Sequence, residues 1–192
     1  MTLSHGTDTH YVAFPNDISR NYYIDYHGTY TLDGTLQENV EIFCVENADW
    51  EPSSTEYSLL EMTAINDDIR QKYLQATWLA NQYATGEATK EAAQLAIWET
   101  IIDIDMQESA GADALLTKLA QLTEEAYSQY ADKWLLAVAP TIDGTFSASD
   151  EGLVPQNYLV ANPNAPVPEP STLLLLGAGL IGVGLTRKRF KK

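Results

Sequence analysis

Residues 22–45, YYIDYHGTYTLDGTLQENVEIFCV, decide the fold class. Apolar and polar residues alternate around Tyr22, Ile24 and Tyr26, and again around Val40, Ile42 and Cys44. A period of two places such residues on one face of a strand, so half-buried strands are predicted at both ends. His27-Gly28 and Asp33-Gly34 supply turn chemistry between them. The stretch reads as a β-meander that ends with Cys44 in or at the edge of a strand.

Downstream, Asn47 to Thr55 reads as a loop. Ser53-x-x-Glu56 has the form of a capping box and opens a helical region that runs to about Tyr83. Tyr73, Leu74, Thr77, Trp78 and Leu79 recur at helical spacing there, and Gly86 suits a helix terminus. A second helix is predicted over Thr89–Asp105, with Ala93, Ile97, Ile101 and Ile104 along one face. A third, over Ala112–Tyr130, repeats Leu115, Leu116, Leu119 and Leu122. Trp134–Ile142 and Leu153–Ala161 return to strand-like text around a polar loop at 143–152. Strands, then helices, then strands predict an α+β domain over 21–161 whose first and last strands pair. Residues 1–20 read as a polar N-terminal segment. Its two histidines, His5 and His10, fit no metal motif, and a loose end is expected. No period of 20–50 residues repeats.

The 192 residues carry a formal net charge of −16, and the imbalance is uneven. Residues 1–168 hold 26 acidic and 6 basic side chains, a net of −20, while five of the 11 basic residues follow Glu169. A domain so acidic repels nucleic acid and anionic lipid, so neither is an expected partner of it. GxSxG, P-loop, HExxH and CxxC patterns are absent from the sequence. The expectation is a protein that is not an enzyme and takes no metal or cofactor. The acidic pairs Asp67-Asp68 and Asp103-x-Asp105 are the candidates for a glycosidase-type carboxylate pair; solvated helix faces are the plainer reading. The single Cys44 makes an internal disulfide impossible, which leaves a buried inert thiol, an interchain pairing or a chemical use.

The chain closes on VPEPSTLLLLGAGLIGVGLTRKRFKK. Residues 162–170 form a proline-rich linker that ends in Pro168-Glu169-Pro170. Residues 171–186 are 16 uncharged positions, about 24 Å as a helix and a marginal membrane span. Residues 187–192 contain Arg187, Lys188, Arg189, Lys191 and Lys192, a basic tail that stays cytoplasmic and sends everything before Pro168 across the membrane. This order resembles the PEP-CTERM sorting signal of Gram-negative bacteria. The resemblance implies export, transient residence in the inner membrane through the C-terminal helix, processing by an exosortase, and a destination at the cell surface or in the extracellular matrix. Met1–Pro15 shows neither a basic nor a continuous apolar leader region, so an entry signal is expected upstream of Met1.

Three further segments, Phe43-Cys44-Val45-Glu46, Ala93-Gln94-Leu95-Ala96-Ile97-Trp98 and Pro155-Gln156-Asn157-Tyr158-Leu159, occur in the order found in the thioester domain of bacterial surface adhesins. The resemblance covers about residues 28–160. It implies an internal thioester between the Cys44 sulfur and the Gln156 acyl carbon, with Phe43, Gln94, Ile97 and Trp98 supporting it. Ala93 replaces the family's hydroxyl residue, and Pro155 stands where an apolar residue precedes the Gln. The implied function is covalent attachment, in a single turnover, to an amine or hydroxyl on a surface or matrix partner. A non-covalent structural or adhesive module with an inert cysteine is the alternative, and a secreted hydrolase the third.

Overall fold

The alternation in the opening stretch resolves into a long hairpin of β4 (Tyr26–Leu32) and β5 (Thr35–Cys44). This computed structural model describes residues 2–5, 9–13, 19–23, 26–32, 34–45, 57–102, 109–138 and 157–165. Leu32 lies opposite Thr35, and Gly34, at the turn of the hairpin, takes φ +76°. That left-handed conformation is open to glycine and strained for most residues with a Cβ. His27-Gly28, expected as a turn, lies inside β4. Gly28 pairs with Leu3 on one side and Val40 on the other, and ladders on both flanks override its turn chemistry. Between the pairs Gly28↔Val40 and Tyr30↔Gln37, β5 has one residue more than β4, with Asn39 at φ 56°. This is a β-bulge, and asparagine is among the few residues that tolerate such a φ.

The described residues of the polar N-terminal segment are strands, where a loose end was expected. β1 (Thr2–His5) pairs with the outer side of β4, while β2 (Thr9–Ala13) and β3 (Ser19–Tyr23) form a separate two-stranded sheet. The boundary expected at residue 21 falls inside β3.

The helical region begins later than expected. β6 (Ser58–Glu61) and a 3-10 turn (Met62–Ala64) precede α1 (Asp67–Ala84). The Asn66 side chain accepts a hydrogen bond from the Asp68 amide at 3.1 Å and so caps α1, with Asp67 and Asp68 in the first turn where the helix dipole favours anions. Ser53 and Glu56 lie outside the described residues. α2 spans Lys90–Ile102. The third expected helix divides into α3 (Ala110–Leu119), capped by Ser109, and α4 (Glu124–Ser128). Three-residue closures at Gln121 and Leu122 end the first, and the extended Thr123 restarts the second. A second 3-10 turn (Ala131–Lys133) then leads into β7 (Trp134–Val138), and β8 (Tyr158–Ala161) closes the sheet.

The main sheet has the order β1-β4-β5-β8-β7-β6, with every ladder antiparallel. The architecture is α+β, and the last strand pairs with β5 at Ile42↔Val160, Phe43↔Leu159 and Cys44↔Tyr158. α2 packs against α1, α3 and β5, and Ala92 through Trp98 are all buried. A helix enclosed all round in this way is core, not surface. Close approach by α3 helps enclose it: a Cβ on Gly111 would lie 2.9 Å from that of Ala92. The linker starts as a docked turn, with the Asn162 backbone N–H donating to the Lys133 carbonyl at 2.9 Å and its side-chain Nδ2 donating to the Asp132 backbone carbonyl at 2.7 Å.

Candidate functional site

Cys44 is the last residue of β5 and is 1% exposed. On one side the strand pairs with β8: Cys44 lies opposite Tyr158, and the Val45 amide donates to the Asn157 carbonyl at 3.2 Å. In an antiparallel ladder, successive residues send their peptide groups to opposite sides. With Val45 bonded to β8, the N–H and C=O of Cys44 point away from it, towards the β4 flank. The described pairing with β4 ends at Tyr26↔Ile42.

Gln94 takes over there. Its Oε1 accepts the Cys44 N–H at 2.9 Å, and its Nε2 donates to the Cys44 carbonyl at 2.7 Å. A carboxamide offers the same donor and acceptor as a peptide group, so one side chain from a buried helix does the work of a strand residue. Both partners are sealed from water, with Gln94 0% exposed. Leaving either Cys44 group unpaired costs about 1–3 kcal/mol.

The neighbouring residue anchors the opposite face. Side chains alternate along a strand, so Phe43 faces away from Cys44. The Phe43 ring meets Tyr83 of α1 edge-on at 5.8 Å and Trp134 of β7 at 5.5 Å. The Lys90 ammonium stands 3.9 Å above Phe43, contacts Glu41 at 2.6 Å and donates to the Ile42 carbonyl at 2.8 Å. The Tyr83 hydroxyl donates to Glu41 as well, at 3.2 Å. Ile97 and Trp98 are buried on α2 beside Gln94.

The structure therefore brings Phe43, Cys44 and the helical segment of Gln94, Ile97 and Trp98 together. Gln156 lies outside the described residues. Its chain neighbour Asn157 is bonded to Val45, and Tyr158, two residues on, is the register partner of Cys44. Pro168, Glu169, Pro170 and the five cations Arg187, Lys188, Arg189, Lys191 and Lys192 also lie outside, as does the segment 171–186. Among the described residues no helix is long and apolar enough to cross a membrane.

Of the acidic candidates, Asp67 and Asp68 sit in the first turn of α1. Asp67 pairs with Arg70, whose guanidinium also donates to the carbonyls of Ile65 at 2.6 Å and Thr63 at 3.2 Å. Asp103 and Asp105 are outside the described residues. His5 and His10 fall in strands of two different sheets. Sequence reasoning missed Lys90, the only cation between Lys72 and Lys118 and one helical turn before Gln94; that isolation was the available signal.

Residues 166–189 match the PEP-CTERM protein-sorting motif. The chain thus carries a signal for export with transient membrane anchoring and for processing by an exosortase. Neither a curated protein nor a solved structure matches the chain.

Proposed function

We propose that this exported protein attaches itself covalently to a surface or matrix partner through a thioester between Cys44 and Gln156. The observation that supports the reading is the pairing of Cys44 with both other motif segments: its peptide with Gln94, and its strand with the segment that follows Gln156. Residues two apart in a strand share a face, so the reading requires 156 to extend β8 by two residues and lie diagonally across from Cys44.

The chemistry balances without a co-reactant. The Cys44 thiolate attacks the Gln156 carboxamide carbon, the S–C bond forms, and ammonia leaves with the thiol proton. Fixed geometry replaces a bimolecular encounter, and burial of Cys44 withholds the water that would hydrolyse the product. A partner amine or hydroxyl then attacks the acyl carbon. A new amide or ester joins it to Gln156, and Cys44 departs as a thiol. This is one acyl transfer per molecule, with no turnover. A surface amine or a polysaccharide hydroxyl fits as target.

A second reading has its own support. Cys44 at 1% exposure is also what an inert core cysteine looks like, and the Gln94 contacts would then serve folding alone in a non-covalent matrix module. Intact mass, measured without reductant before and after methylamine, separates the two, with Cys44→Ala as the mass reference for the processed chain. The thioester reading expects a chain lighter by one ammonia that takes up one methylamine and gains one titratable thiol. A chain of full mass with a thiol already titratable after unfolding would sink it.

A further inference from the structure

We infer that Lys90 is a positioning residue for Cys44, acting through the backbone of β5 with Gln94 as its companion. Four residues along a helix rise about 6 Å, and two along a strand about 6.6–6.8 Å. That near-match lets Lys90 and Gln94, one turn apart on α2, reach the carbonyls of Ile42 and Cys44, two apart on β5, at 2.8 and 2.7 Å. The helix thus grips two successive peptide groups on the same flank of the strand. The β8 ladder holds the other flank of the strand end; on this flank Gln94 alone would fix one peptide group, and the Lys90 contact fixes a second and, with it, the aim of the Cys44 sulfur.

Lys90 is built for this. Its side chain is 12% exposed, and the ammonium is set between the Glu41 carboxylate, the Ile42 carbonyl and the rings of Phe43 and Tyr83, 5.0 Å away in the last case. Ring faces and a carboxylate stabilise a half-desolvated cation where water is scarce. As a statement about covalent capture, the role rests on the thioester reading; as a statement about Cys44, it can be measured on the thiol itself.

The test uses the full chain and compares Lys90→Met, Glu41→Gln and Gly34→Ala with the wild type. If the wild type lacks one ammonia, the quantity read is the rate of methylamine opening. If it does not, the thioester reading has failed, and the quantity is the native-state rate of Cys44 with a small disulfide reagent. Either rate is expected to rise about tenfold or more in Lys90→Met, as loss of a charge-assisted hydrogen bond implies. It stays within about threefold in Glu41→Gln, where the carbonyl and rings still hold the ammonium and the carboxamide oxygen accepts in the carboxylate's place. Gly34→Ala destabilises the far end of the same strand and leaves the rate alone. Should Lys90→Met not fold, Lys90→Gln keeps a stem with a neutral donor and reads the same rate. A wild-type rate in the Lys90 variant, or an equal rise in Gly34→Ala, would overturn the assignment.

Discussion

The two ends of β5 belong to one strand and live under different rules. From Thr35 to Asn39 it is mostly exposed, and Leu36 stands 58% open at the hairpin tip. From Ile42 to Cys44 it is wholly buried, flanked by β8 and clamped by α2. Hydrogen bonding to β4 holds the first end, and water satisfies the rest. At the second end each polar group needs a named protein partner, because water is excluded. Sequence change at the tip should be cheap and at the Cys44 end costly.

Substitutions along the strand test that gradient. Phe43→Ala is expected to cost most, about 3–5 kcal/mol by chemical denaturation, since it empties a site enclosed by Tyr83 and Trp134. Gln94→Leu fills the space but orphans the N–H and C=O of Cys44, for an expected loss of about 2–4 kcal/mol. An isosteric gain or a neutral result would mean that the clamp is replaceable. Gly34→Ala should cost about 1–2 kcal/mol from backbone strain, as among the described residues beyond its chain neighbours nothing lies within 4 Å of the added methyl.

Tyr30 sharpens the comparison through pH. Burial raises its hydroxyl from the ordinary 10.0 to about 12, and that hydroxyl donates to the Ala161 carbonyl at 2.8 Å. The folded state prefers the neutral phenol, so its contribution is full below pH 10 and is lost as pH rises towards 12. Denaturation midpoints of wild type and Tyr30→Phe should therefore converge across that window. Leu36→Ser, smallest of all, should stay within about 0.5 kcal/mol; a larger loss would show that the tip is covered by something in solution.

Much of this gradient was legible from residue order. Alternation at Val40, Ile42 and Cys44 marked the buried strand, and Asp33-Gly34 marked the hairpin. Ala93 and Ile97 placed α2 to within a few residues. What escaped reading was set by partners distant in sequence. Thr2–His5 is polar and becomes strand because β4 offers it an edge. Ser58–Glu61 carries two leucines that suit a helix equally well, and β7 decides the matter. The leucines of 115–122 kept helical spacing across a break made by local backbone closure. At the site, the Cys44 and Gln94 segments could be named from their residue types. The clamp could not, because a Gln reaching fifty residues back to a peptide group leaves no periodic trace. Lys90 left only its isolation between Lys72 and Lys118 as a sign.

The bulge at Asn39 sets the phase of the whole strand. Residues on a strand count in twos, and one extra residue shifts the count from odd to even. Upstream of Asn39 the hairpin keeps one count with β4, and downstream β5 keeps the other with β4 and β8. Remove that single residue and one end must invert. Either the tip turns its outward side chains inward, or Phe43 and Cys44 exchange faces and the sulfur points at the aromatic layer beneath the helices. An exposed asparagine, distant from any chemistry, thus decides which way the cysteine looks.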